Sequence, residues 1–121
     1  MIHGRFCFTR TQNGNLLGEY SNQQSQFNAT ECAELQQEPD EDAPPFVGTY
    51  RSTWLERDGP DEMTLRIATR STERGTIYTL TWARGTEVVF FGEAFVFGEI
   101  LVGNYWDKDV DGLHLDIRTW R

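Results

Sequence analysis

The chain has 121 residues, with 11 Lys and Arg against 19 Asp and Glu for a net charge of −8, and 13% of it is aromatic. That length supports one hydrophobic core and one domain spanning 1–121. No apolar run reaches the roughly 18 to 20 residues of a spanning helix, and the start through Phe6 lacks a secretory apolar stretch. The expectation is therefore a cytoplasmic protein with no membrane partner.

A nucleic-acid partner is not expected, because binding phosphates relies on clustered Lys and Arg, whereas Arg51, Arg57, Arg66, Arg70, Arg74 and Arg84 are interleaved with acids and apolar residues. Cys7 and Cys32 fit neither a CxxC pair nor a zinc knuckle and read as free thiols.

In chain order, Ile2, Gly4, Phe6 and Phe8 share one face of a first strand, with His3, Arg5, Cys7 and Thr9 on the other. Asn13-Gly14 then gives a hairpin turn, since both residue types tolerate positive φ, and 16–22 returns as the second strand. Residues 23–45 read as one long polar and acidic connection: Glu31 through Asp42 holds six acids and no base, and Ala43-Pro44-Pro45 ends it. A short helix over 29–37, capped by Asn28 or Thr30 and stopped by Pro39, is allowed within it. The charge is −5 through Pro45 and −3 from Phe46 onward, so most of the acidity belongs to this connection.

Six further strand candidates follow, at 46–56, 63–70, 75–83, 86–95, 99–106 and 113–120, separated by short turns rich in Gly and Asp. With the first hairpin the count is eight, and short links imply antiparallel neighbours. The fold class is all-β. Closure removes the two exposed edges of an open sheet, so an eight-stranded antiparallel up-and-down barrel is expected, with an open β-sandwich as the competing architecture. The inward set is Met63, Leu65, Ile67, Tyr78, Leu80, Trp82, Val88, Phe90, Leu113, Leu115 and Ile117.

Little in the sequence spells out chemistry. Asp107-Lys108-Asp109-Val110-Asp111-Gly112 has the spacing of a calcium loop, but Arg118 stands where a bidentate Glu is needed, and the segment reads as a hairpin turn between strands. Two histidines, His3 and His114, are too few for a histidine metal cluster, and alternation sets His114 outside the barrel. No catalytic constellation, metal site or cofactor is implied. The aromatic residues on strands say more. Tyr20, Tyr50, Trp54, Tyr78, Trp82 and Tyr105 are the candidate ligand-binding residues, because Tyr and Trp inside a barrel need partners for OH and NH and so line a cavity with polar handles.

The run Gly4-Arg5-Phe6-Cys7-Phe8-Thr9, the Asn13-Gly14 turn and Leu16-Leu17-Gly18-Glu19-Tyr20-Ser21-Asn22 resembles the first hairpin of avidin and streptavidin. Gly48-Thr49-Tyr50 with Trp54, and Tyr78-x-Leu80-x-Trp82, are similar to the wider calycin group of lipocalins, fatty-acid-binding proteins and avidins. The resemblance implies that Tyr20 stands at the tyrosine that hydrogen-bonds the biotin ureido group, with Asn22 where streptavidin places a serine.

The first expectation for function is a barrel that binds a small, partly apolar molecule. The second is a homo-oligomeric interaction module in which Val89, Phe91, Phe95 and Val102 form an outer apolar face. The third is an enzyme built on acids such as Glu56, Asp61 or Glu93.

Overall fold

The computed structural model describes residues 1–25, 28–56 and 59–112. Its strands, in chain order, are β1 (His3–Arg10), β2 (Leu16–Asn22), β3 (Ala29–Leu35), β4 (Gly48–Glu56), β5 (Gly59–Thr72), β6 (Gly75–Arg84), β7 (Glu87–Phe97) and β8 (Ile100–Asp107). Each pairs antiparallel with the next, and β1 pairs with β8 through registers such as Gly4 with Tyr105 and Phe6 with Gly103. The sheet is therefore a closed up-and-down barrel and not an open sandwich.

Its eight strands are not the eight expected from the sequence. The segment allowed as a helix is β3, which bonds β2 and β4 on either side. Its helix-forming composition yields to alternation: Ala29, Glu31, Ala33 and Leu35 are turned inward while Thr30, Cys32 and Glu34 are exposed. The acidic connection is thus interrupted by a strand, leaving 36–47 as a loop after it. The expected strand at 113–120, with Leu113, His114, Leu115 and Ile117, lies outside the described residues.

Two local expectations also change. The Asp-rich segment is not a hairpin turn, because 108–112 is helical. Asp107 Oδ1 accepts from the Val110 amide at 3.1 Å, and Asp111 Oδ1 accepts from Trp106 Nε1 at 2.8 Å, so these carboxylates cap and brace the turn. The register also shifts between Trp82 and Ala83, where Trp82 pairs with Phe90 and Ala83 with Val88. This bulge packs Val89 with Phe90 against the core, so Val88 is not the inward residue and Val89 does not belong to an outer face.

Inward alternation fills the barrel. Phe8, Leu16, Leu65, Leu80 and Leu101 are at most 2% exposed. The two ends differ. At one end the loop 36–47 delivers Phe46, buried against Tyr78 with ring centroids 6.4 Å apart. Phe46 holds φ at 74°, a left-handed conformation that disfavours a bulky side chain, and Tyr50 Oη donates to its carbonyl at 2.7 Å. The other end carries Met1 and Ile2, the turn at 23–25 and the helical residues 108–112. Among the described residues no helix is long and apolar enough to cross a membrane.

Candidate functional site

The end opposite Phe46 holds a cavity of about 140 Å³. Its walls come from nearly every side of the barrel: Phe6 from β1, Tyr20 and Asn22 from β2, Glu31 from β3, Trp54 and Glu56 from β4, Trp82 from β6, Phe90 from β7 and Tyr105 from β8. Antiparallel registers bring these distant positions level, because Asn22 and Tyr105 both face Gly4, and Phe90 faces Trp82. Gly4 has to be glycine there. A Cβ at that position would sit 2.0 Å from the Ser21 carbonyl oxygen and 2.8 Å from the Tyr105 ring.

Aromatic rings form most of the wall and brace one another edge to face. Phe6 lies 5.5 Å from Trp82, Tyr105 lies 5.7 Å from Phe90, and Tyr20 lies 6.2 Å from Tyr105, all near-perpendicular. Trp82 and Tyr105 meet at 6.1 Å with tilted rings. Such mutual packing holds the rings in fixed orientation without a ligand.

The polar groups are placed within this aromatic frame. Glu31 is only 6% exposed, and its Oε2 accepts two hydrogen bonds, from Ser52 Oγ and from Trp82 Nε1 at 2.9 Å. Both donors are uncharged. Burial therefore raises the Glu31 pKa above its ordinary 4.5, against the lowering effect of the Ser52 and Trp82 hydrogen bonds. Both bonds use one oxygen, Oε2, and Glu31 is one of the residues that line the cavity.

Closer to the mouth, Asn22 Nδ2 donates to Tyr105 Oη at 3.0 Å and Trp54 Nε1 donates to Glu56 Oε1 at 2.9 Å. The Tyr20 pKa is pushed up to about 12, first by burial and then by the charges of Glu31, Tyr105, Glu56 and Asp61. Burial likewise raises that of Tyr105, which the Asn22 bond partly offsets.

Of the six aromatic residues singled out from the sequence, Tyr20, Trp54, Trp82 and Tyr105 stand around this cavity. Tyr50 and Tyr78 do not: they lie towards the other end, where Tyr50 holds the Phe46 carbonyl and Tyr78 packs on its ring. The residue that sequence reasoning missed is Glu31. Taken as the first acid of an acidic loop, it is in fact the one carboxylate that β3 turns inward. The signal was the spacing Ala29-x-Glu31-x-Ala33-x-Leu35, which is a strand alternation with a carboxylate at one inward position.

No family model matches the chain, and neither a curated protein nor a solved structure is significantly similar to it. Function must therefore be argued from the cavity itself. What the cavity offers is recognition: flat apolar faces, a buried carboxyl oxygen and phenolic hydroxyls at fixed positions.

Proposed function

We propose that this barrel is a binding protein for a small, partly apolar molecule seated in the cavity between Trp54, Trp82 and Tyr105. The observation that carries this reading is Glu31. A carboxyl group buried among aromatic rings is costly unless its bonds are completed, and Oε1 is left for an incoming molecule. An apolar cavity with a few convergent polar groups is the usual form of a small-molecule site. The closed eight-stranded architecture is compatible with a calycin-like barrel, and Tyr20 and Asn22 lie on the cavity wall as the avidin resemblance implies.

The test is a fragment screen read by the indole N–H resonances of Trp54 and Trp82, with Trp106, bonded to Asp111, as an internal control. At least one small fragment is expected to shift the first two saturably and leave the third in place. A panel that moves none of them at millimolar concentration overturns the reading.

A second reading, self-association, has its own observation. Phe95 and Phe97 on β7 are 55% and 71% exposed and pair with Val102 and Ile100 on β8, which makes an outer apolar band. Light scattering that gives a monomer mass at tens of micromolar would remove it.

A further inference from the structure

The charge around the cavity narrows what it takes. Among the described residues lining it there is no Lys, Arg or His, while Glu31 and Glu56 both contribute carboxylates. Among the described residues, three cations near this end are paired with acids: Arg84 with Asp61, Lys108 with Glu87, and the Met1 amino group with Asp107 at 3.8 Å. The rings add to the negative field, because the face of a Trp or Tyr ring is the negative side of its quadrupole.

Resting on the binding reading above, we propose that the ligand is a small organic ammonium ion, held against the faces of Trp54, Trp82 and Tyr105 with its charge beside Glu31 Oε1. A carboxylate ligand gains nothing comparable from this arrangement, since among the described lining residues it would meet two acidic side chains and no counter-ion. A neutral molecule of the same shape fits the walls but gains neither the cation–π attraction nor the charge-assisted bond to Oε1. The cavity volume suits an alkylammonium head carrying a short chain and is too small for a long acyl chain.

The experiment compares matched pairs that differ in charge: choline with its uncharged tert-butyl isostere, and butylammonium with butanol. Titrations are followed by the Trp54 and Trp82 indole resonances of the full chain. At least one ammonium is expected to bind about tenfold or more tightly than its neutral partner, the ratio that cation–π attraction and a charge-assisted bond to Oε1 together support. Glu31→Gln keeps an acceptor for Ser52 and Trp82 and should lower the charged-to-neutral ratio severalfold, leaving the part that the aromatic faces supply. Glu56→Gln, at the more open mouth, lowers the ratio less and serves if the first variant does not fold.

Equal affinities within both pairs would overturn the inference while leaving a cavity that binds by shape. Failure of both ammonium ions to bind would also overturn it, and the fragment screen would then decide on the cavity separately.

Discussion

At the scale of single residues, Glu31 joins stability to the site. Its burial raises its pKa above the ordinary 4.5, so the folded chain holds that proton more tightly than the unfolded chain does. The stabilisation linked to this proton is fully present below pH 4.5 and is lost as pH rises through the higher folded value. Glu31→Gln has no proton to lose. Thermal unfolding of the two proteins between about pH 4 and about pH 8 should show the wild-type curve falling relative to the variant over that window. Parallel curves would mean that the carboxyl is not held in a desolvated environment. Glu31→Ala is a different case: it leaves Ser52 Oγ, fully buried, and Trp82 Nε1 without their acceptor, and should cost on the order of 2 to 4 kcal/mol.

At the scale of elements, β3 shows what patterning reveals and where it fails. The barrel class was legible because β1, β2 and the run from Gly48 to Asp107 alternate with apolar residues on the inner face, as Met63, Leu65 and Ile67 do. β3 alternates equally well, but one inward position is Glu31 and the others include two alanines, so its apolar signal is too weak to outweigh an acidic surrounding. A carboxylate that serves the interior looks from sequence like one that serves solvent. Bonded on both edges, the β3 backbone should exchange its amide hydrogens as slowly as β4, whereas 38–43 should exchange quickly. Fast exchange throughout 29–35 would return the segment to the loop. Phe46 was read only as the start of a strand, because a residue with φ of 74° follows from the loop closing over the barrel and not from local propensity. Phe46→Ala should cost about 3 kcal/mol in chemical denaturation, through lost packing on Tyr78. Phe46→Gly should cost no more, since glycine accepts that φ without strain.

At the scale of the whole molecule, closing the barrel and forming the cavity are one event. β1 and β8 come from opposite ends of the sequence, and their pairing sets Phe6 opposite Gly103 and Gly4 opposite Tyr105, which completes the cavity wall. Asp107 fastens this seam at the cavity mouth. Its Oδ2 accepts from the Ile2 amide at 2.7 Å and lies 3.8 Å from the Met1 amino group, its own amide donates to the Ile2 carbonyl at 2.9 Å, and Ile2 lines the cavity. Losing the side chain leaves the backbone bond but removes a charge-assisted one from a partly buried position, so Asp107→Ala should destabilise the fold by about 2 kcal/mol. Asp107→Asn retains an acceptor for Ile2 and should recover about half of that. Because Ile2 is loosened together with the seam, Asp107→Ala should also weaken every small molecule that shifts the Trp54 and Trp82 resonances, charged or neutral alike. That distinguishes it from Glu31→Gln, which acts on charged ligands alone. A variant that loses stability yet binds with unchanged affinity would show that the seam and the cavity mouth are independent.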